Sequence, residues 1–454
     1  MAATTSAKAP DHTEAARSDR SASALMKPSN SDKGSASTGD NGIPVPPLKL
    51  SATWRSDPLI RDKGAKVHDI LKACHDVDVD WLRQLAASEG GLVEDELRRT
   101  AWPILLGCDP RHRAIETLSW EKLAPHHDEH QVELDVNRSF VYYPEDETES
   151  RKDARKVELS NLITEVLRRH PLLHYFQGYH DIVQVLLLVL GANAAVEPVA
   201  RLSLLRIRDF MLPSMTGTES YLRLLPAILY AVDPEVYQHL SHTQPFFALA
   251  ATLTLYAHDI EEYGDIARLF DFLLASEASV SLYLFAVIVV SRKKELMEIE
   301  ADEPEMLHAI LSKLPKPLDL EHLIHCTTEA FDKYPPEKLP GRAWSHVSSY
   351  SVLKTTHLDE TLQRQTLEDG ERWFEMHDQE IQRKEAWLKR QQRARLLLRQ
   401  YRRPAAFTGL AVLFALVAYM ARDEGRVSSL MHVTVPLVTR LRDGARDLLN
   451  QYMT

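Results

Sequence analysis

The chain has 454 residues, of which 44% are apolar, and a formal net charge of −11. This length and composition allow a sizeable buried core, and the acidic balance argues against nucleic acid as a partner. Three widely spaced cysteines, Cys74, Cys108 and Cys326, exclude a disulfide framework and a cysteine zinc site, which suits a reducing compartment.

The first residues of the chain differ in composition from those that follow. Residues 1–60 are rich in Ser, Ala, Asp and Lys, and we predict that they are a disordered tail because they offer too little apolar surface to offset the entropy of ordering. From about residue 65, apolar residues recur at helical spacing, beginning with Val67, Ile70 and Leu71. Strand signals are scarce, so we predict an all-α domain over residues 61–340.

Arg98 and Trp102 are four residues apart in a predicted helix and therefore share one face of it. We interpret this pair as a tryptophan of the core with an arginine stacked on it.

Three histidines, His126, His127 and His130, occur in a loop-rich stretch together with Asp128 and Glu129. Their spacing on a predicted element does not match a metal site, so we predict a solvated loop and no metal.

Asp135 and Arg138 are three residues apart near the end of the next predicted helix. As a surface ion pair they would contribute only about 0.2–0.5 kcal/mol. An arginine steadied by a neighbouring carboxylate can instead project into a phosphate site, since its planar fork matches phosphate oxygens and stays charged. Both interpretations remain open on these residues alone.

A polar cluster precedes the apolar run Ile182–Leu190. Gly178 allows a close approach of another segment to the backbone. The Gln177 amide carries both a donor and an acceptor, which orienting a water molecule requires. Asp181 lies where a carboxylate can cap the free N–H groups of the following helix. A turn with a cap is the ordinary interpretation of such a sequence.

Three motifs in order resemble the signature of the TBC domain family: Arg98-x-x-x-Trp102, Val132-x-x-Asp135-x-x-Arg138 and Tyr175-x-Gln177-Gly178-x-x-Asp181. The stretch Arg268–Asp271 is similar to a fourth family motif, with Phe270 where tryptophan is usual. The resemblance covers roughly residues 65–340. It implies an all-helical TBC fold and a GTPase-activating protein for Rab GTPases.

The resemblance also implies roles for individual residues. Arg138 would be an arginine finger, and Gln177 a glutamine finger that orients the attacking water. Asp135 would steady Arg138, while Tyr175, Gly178 and Asp181 would shape the loop that carries Gln177. The chain itself would need no cofactor, because the Rab partner holds GTP and magnesium. The branch of the family that this sequence resembles in most detail suggests Rabs of ER-to-Golgi traffic.

Residues 341–403 have a different character from the domain before them. We predict a Ser/Thr-rich linker over 341–358 and a charged, solvated helical stalk over 359–403, with no sustained heptad that would indicate a coiled coil.

Residues 404–422 are predicted to form a single transmembrane helix, because 405–421 carry no charge and would span about 26 Å. The 15 residues before this run contain seven Lys or Arg, against two in the 15 after it, which predicts that the domain faces the cytosol. No signal peptide is visible, so we expect a tail-anchored protein of the endoplasmic reticulum or early secretory pathway, with residues 423–454 as a C-terminal tail.

Two other functions fit parts of the sequence. One is a TBC-like scaffold that binds a Rab or tethers membranes without accelerating hydrolysis. The other is a membrane-shaping protein whose C-terminal segment carries its main activity.

Overall fold

The computed structural model describes residues 61–108, 119–144, 147–357 and 363–421. These residues form helices and connecting turns, with no strand among them, so the all-α prediction is confirmed. The predicted disordered tail at 1–60 and the C-terminal tail at 423–454 lie outside the described residues.

The helices follow one another with short connections. The first nine are α1 (Arg61–Asp76), α2 (Val79–Ala87), α3 (Asp95–Leu105), α4 (Glu129–Val136), α5 (Glu149–Arg169), α6 (Tyr179–Leu190), α7 (Ala192–Leu205), α8 (Thr216–Leu222) and α9 (Leu225–Val232). The remaining ones are α10 (Pro234–His239), α11 (Leu249–Leu253), α12 (Tyr263–Ala275), α13 (Val280–Ser291), α14 (Lys293–Leu296), α15 (Pro304–Leu311), α16 (Leu320–Lys333), α17 (Ala343–His346), α18 (Val352–Thr355) and α19 (Leu367–Ala421). Short 3-10 helices occupy Trp120–Lys122, Arg208–Met211, Pro245–Ala248, Pro336–Lys338 and Pro340–Arg342.

Two helices are buried on nearly every face and form the centre of the core. They are α6, which packs against α3, α5 and α7, and α13, which packs against α9 and α16. A helix that is apolar all round must be surrounded by others, because it has no face suited to water. Helix α6 contains the apolar run Ile182–Leu190, which is buried in the core and is too short to cross a bilayer.

A buried carboxylate joins α3 to α12. Asp271 accepts hydrogen bonds from the Arg98 guanidinium (Nη2 to Oδ2, 2.9 Å), from Trp102 Nε1 (2.8 Å) and from the backbone N–H of Leu92 (2.9 Å). Arg98 and Trp102 are buried, as predicted, but they meet at this shared acceptor and not through the stacking that we predicted. The Phe270 ring lies 5.9 Å from the Trp102 ring, so the residue in the usual tryptophan position packs as part of the core.

The predicted linker at 341–358 is wrong in its described part, because residues 343–346 and 352–355 are helical and pack on the domain. Asp209 is buried and accepts hydrogen bonds from the Ser351 hydroxyl and from the backbone N–H of Val352. Val352 and Leu353 are fully buried. A buried carboxylate must find donors, and this segment supplies them.

The predicted stalk is helical, but its first part is not solvated on all sides. Phe374 and Ile381 are buried against the domain, and Glu371 pairs with His170 at 2.8 Å. The few apolar residues of this charged stretch therefore hold the N-terminal part of α19 in place, which corrects the solvated-stalk prediction. Farther along, Trp387 and Leu396 are exposed.

Helix α19 continues through residue 421, so most of the run at 404–422 is helical. Across the described residues, no helix combines the length and the apolar character needed to cross a bilayer. The predicted transmembrane helix is thus not confirmed, and residue 422 and several side chains of this run lie outside the described residues.

Replacing Asp271 by Ala is expected to destabilise the domain by about 3–5 kcal/mol, because it leaves the buried Arg98 charge without its main partner. Urea unfolding of the two chains measures this difference. Glu96→Ala is the matched control: it removes an exposed carboxylate that pairs with Arg99, and it should change stability by about 0.5 kcal/mol or less. A loss at Asp271 no larger than that of the control would contradict this account of the core.

Candidate functional site

A groove with a cavity volume of about 190 Å³ opens where the end of α4, the start of α6 and the turn before α12 meet. Residues along its walls include Asp135, Arg138, Tyr143, Gln177, Asp181 and His258. Arg138 and Gln177, which are 39 positions apart in sequence, thus line one surface feature. Because the groove is open, the Arg138 guanidinium and the Gln177 amide can both reach a second molecule.

Arg138 lies just beyond the last turn of α4. Its backbone N–H donates to the carbonyl of Asp135 (3.0 Å), which continues the helical turn past Val136. Its side chain is 68% exposed, with Nη2 3.2 Å from Asp135 Oδ1 and Nε 3.3 Å from the Leu134 carbonyl oxygen. The predicted contact between Asp135 and Arg138 is present, and it leaves much of the guanidinium available to a partner.

Asp135 is almost fully buried and receives donors from two parts of the chain. The Tyr175 hydroxyl donates to its Oδ2 atom at 3.0 Å, and the Gln131 amide donates to its Oδ1 atom at 3.1 Å. Because an ionised carboxylate can only accept, the Tyr175 hydrogen goes to Asp135, and His180 Nδ1–H donates to the hydroxyl oxygen at 3.0 Å. Burial lowers the pKa of His180, and the nearby Asp181 and Asp135 carboxylates oppose that shift.

Gln177 is exposed in the turn that leads into α6. The next residue, Gly178, has φ +100°, and a Cβ atom there would lie 2.6 Å from the Thr254 methyl group Cγ2. Glycine is therefore required both by the backbone conformation and by the close approach of Thr254, as the sequence predicts. Upstream, the Tyr175 N–H donates to Asp128 Oδ2 (2.9 Å), which fixes the other end of the turn. We call residues 174–178 the glutamine turn.

The predicted cap at Asp181 is wrong. Helix α6 begins after Gly178 without a side-chain cap, and Asp181 lies inside the first turn. Its carboxylate instead bonds His258 Nδ1 at 3.0 Å, and it lies 3.3 Å from His180 Nε2. The hydrogen bond that His258 donates to the Asp181 carboxylate raises the pKa of the ring above its usual value. His258 thus brings positive charge to the groove at mildly acidic pH.

Sequence reasoning missed one residue that positions the arginine. Gln184 lies on α6 and accepts a hydrogen bond from the backbone N–H of Phe140 (3.0 Å). Phe140 has φ +60°, and its amide would otherwise be buried without a partner. The contact anchors the segment after Arg138 to the core helix. The sequence feature that could have indicated Gln184 is that it is the single polar residue within the apolar run Ile182–Leu190.

Arg98 and Trp102 do not line the groove, and their contacts with Asp271 belong to the core. The motif Arg98-x-x-x-Trp102 thus supports the fold, whereas the motifs that contain Arg138 and Gln177 contribute side chains to the groove.

The solvated loop predicted around the histidines is wrong for His126, which is buried, and α4 begins immediately afterwards at Glu129. One potential ligand atom of each of His126, His127 and Asp128 lies within 4.8 Å of the others. The fold places the His126, His127 and Asp128 side chains close to the glutamine turn.

Comparison with known proteins identifies similar chains. The Rab-GTPase-TBC domain family matches residues 95–297. TBC1 domain family member 20 of Homo sapiens is 35% identical over 302 residues, which are 66% of this chain and 74% of the relative. The GTPase-activating protein gyp10 of Schizosaccharomyces pombe is 34% identical over 294 residues, 64% and 78% of the two chains. The crystal structure of the Ypt/Rab-GAP domain of Gyp1p aligns with a TM-score of 0.46 and 17% identity, over 58% of this chain and 98% of that one.

Gly178→Ala is expected to destabilise the chain more than Gly90→Ala. Both positions have positive φ and would acquire about 1 kcal/mol or more of backbone strain. Only at Gly178 does the new methyl also meet a neighbour, Thr254, which adds about 1–3 kcal/mol of overpacking. Thermal unfolding measures both losses.

A third variant separates the two contributions. In Gly178→Ala/Thr254→Ser the obstructing methyl is gone while a hydroxyl remains, so stability should recover to about the level of Gly90→Ala. The absence of any recovery would show that the close approach does not govern this turn.

The His258 pKa gives a pH-dependent prediction. Because the folded-state pKa is raised, its pair with Asp181 stabilises the fold fully below the unfolded value of about 6.5 and loses that contribution as pH rises through the folded pKa. An NMR titration should place the His258 pKa above 6.5 in the natural chain and lower in Asp181→Asn. An unchanged pKa in the variant would exclude Asp181 as the cause.

Proposed function

The chain belongs to the Rab-GTPase-TBC domain family, and from this premise we propose that it accelerates GTP hydrolysis by a Rab GTPase through Arg138 and Gln177. The observation that carries the proposal is that both side chains line one groove, where Asp135 accepts hydrogen bonds from Arg138 and from Tyr175, two residues before Gln177. The relatives include a protein named as a GTPase-activating protein, which supports the same activity.

The chemistry explains why an arginine is needed. Negative charge builds on the oxygens of the transferred phosphoryl group in the transition state, and a guanidinium supplied in trans neutralises it. Such a residue increases the rate by about 10³–10⁵-fold, or about 4–7 kcal/mol. The exposed part of Arg138 is the group that would enter the Rab site, while Asp135 restricts its conformations before binding.

Gln177 would provide the second requirement, which is a positioned water molecule. Its amide oxygen can accept from the attacking water while its amide nitrogen donates to a phosphoryl oxygen. The glutamine turn is held at Gly178 by Thr254 and at Tyr175 by Asp128, so the amide is presented from a fixed backbone. Fixed presentation limits the entropy lost when the transition state forms.

The rim of the groove supplies a surface for the partner. Val141 is 71% exposed and Tyr142 is 47% exposed, and both line the groove next to Arg138. Exposed apolar side chains beside a polar centre are typical of interaction sites. We propose that they contact the Rab around its nucleotide, and that the Rab supplies both GTP and Mg²⁺ in its GTP-bound state.

We make a more specific proposal about which Rab is the partner and where the two proteins meet, and it rests on the sequence resemblance. We propose a Rab of ER-to-Golgi traffic, met at the cytosolic face of the endoplasmic reticulum or an early secretory membrane. Residues 404–422 would attach the chain there. The apolar side chains of Leu410 and Phe414 on α19 are 51% and 66% exposed, which supports contact with an apolar phase.

Multiple-turnover GTP hydrolysis by a panel of Rabs tests the activity. Arg138→Ala should lower the rate by about 10³-fold or more, and Arg138→Lys should recover little of it because the planar fork is absent. Gln177→Ala should lower the rate by about 10²-fold or more. Arg223→Ala is the control, since it removes an exposed arginine that does not line the groove.

Equal rates for Arg138→Ala, Gln177→Ala and the control would overturn the proposal. Binding of a GTP-loaded Rab without faster hydrolysis would favour a Rab-binding or membrane-tethering scaffold. Loss of all activity on removal of residues 404–454 in a soluble assay would favour a membrane-shaping role, because an activator acts through its groove.

A further inference from the structure

Three imidazole rings and a carboxylate converge between the start of α4 and the glutamine turn. His127 Nε2 lies 3.1 Å from His174 Nδ1 and 3.2 Å from Asp128 Oδ2. A ring nitrogen of His126 lies within 4.8 Å of ligand atoms of both His127 and Asp128. His174 comes from a segment 47 positions away in the sequence, so the fold assembles this cluster.

Two of these separations match those between ligands of a tetrahedral metal ion. Zinc bonds nitrogen at about 2.0–2.1 Å and carboxylate oxygen at about 2.0–2.2 Å, so two ligands of one tetrahedron are separated by about 3.3–3.5 Å. The spacing of His127 with His174 and with Asp128 is already within a few tenths of an ångström of that value. The other pairs would need larger side-chain adjustments, since His174 lies outside the set of ligand atoms that are mutually within 4.8 Å.

The cluster also has unused bonding capacity. His126 is 94% buried, at 6% exposure, and its Nε2 atom finds no hydrogen-bond partner among the described residues. The His126 Nδ1 atom accepts the backbone N–H of Asp128 at 3.2 Å, so an ion that binds this atom would replace that hydrogen bond. Asp128 precedes α4 directly, yet its side chain makes no capping hydrogen bond to that helix.

A neighbouring contact orients the carboxylate. Asp128 Oδ2 accepts from the backbone N–H of Tyr175 at 2.9 Å, and an oxygen with two lone pairs can do so while it binds a metal. Hydrogen bonds of this kind hold metal ligands in place. His127 is half-exposed, which gives an ion a path from solvent.

We propose that His126, His127, Asp128 and His174 form a binding site for Zn²⁺. The ligand set is rich in imidazole and poor in carboxylate, which suits zinc and disfavours calcium and magnesium. The sequence did not indicate the site because His174 is distant in the chain and the burial of His126 is a tertiary effect.

The site has a consequence for the groove, and this part rests on the proposed function. Bound zinc would cross-link the start of α4 to His174, three residues before Gln177. The Asp128–Tyr175 contact extends through the Tyr175 hydroxyl to Asp135, which holds Arg138. The metal would therefore set the spacing between the segments that carry the two fingers.

Zinc titration of the full-length, tag-free chain after treatment with a chelator tests the site. We expect one Zn²⁺ per chain by competition with a chromogenic chelator, and a higher unfolding temperature in the zinc-loaded chain. His127→Ala and His174→Ala should each weaken binding by more than about 10-fold. His130→Ala is the matched control, since this exposed histidine of the same stretch lies outside the cluster.

Absence of zinc binding below about 100 µM, or full binding by the His127→Ala/His174→Ala chain, would overturn the proposal and leave a hydrogen-bonded histidine pair. Circular dichroism of each variant verifies that the chain is folded, and His127→Gln, which keeps a polar group at a half-exposed position, gives a milder second variant. Because the zinc titration contains no Rab, a failure to bind zinc and a failure to activate GTP hydrolysis are separate results.

Discussion

The groove depends on one buried carboxylate, that of Asp135. A charge removed from water must be compensated by hydrogen bonds, and Asp135 receives donors from Arg138, Tyr175 and Gln131. Two of these donors belong to segments that carry the proposed fingers. The need to pair one carboxylate therefore fixes the arginine and the base of the glutamine turn relative to each other.

The rest of the domain makes that arrangement rigid. Helix α6 is buried almost all round, so its first turn and the adjoining Gly178 have little freedom to move. Gln184 ties the segment after Arg138 to the same helix. The Asp271 cluster, by contrast, joins α3 to α12 and stabilises the fold without lining the groove. Stability and the proposed chemistry thus rely on different carboxylates.

Much of this architecture could be predicted from local patterns. Apolar runs at helical spacing predicted the all-α fold, and the resemblance of three motifs to the TBC family pointed to Arg138 and Gln177. The predictions failed where contacts between distant segments of the chain determine the structure. Asp181 bonds His258 from a distant segment instead of capping its own helix. Residues 341–357, polar by composition, pack on the domain because Asp209 needs the donors that this segment supplies.

The central claim is that Arg138 and Gln177 together bind a transition state that forms in a Rab. Its most direct measurement is the affinity for a GDP-loaded Rab with and without aluminium fluoride, which mimics the transferred phosphoryl group; transition-state mimics bind more tightly than ground states. The account predicts that fluoride tightens binding to the natural chain by about 10²-fold or more, and that this gain disappears in both Arg138→Ala and Gln177→Ala. A gain that survives either substitution, or no gain in the natural chain with any Rab tested, would contradict it.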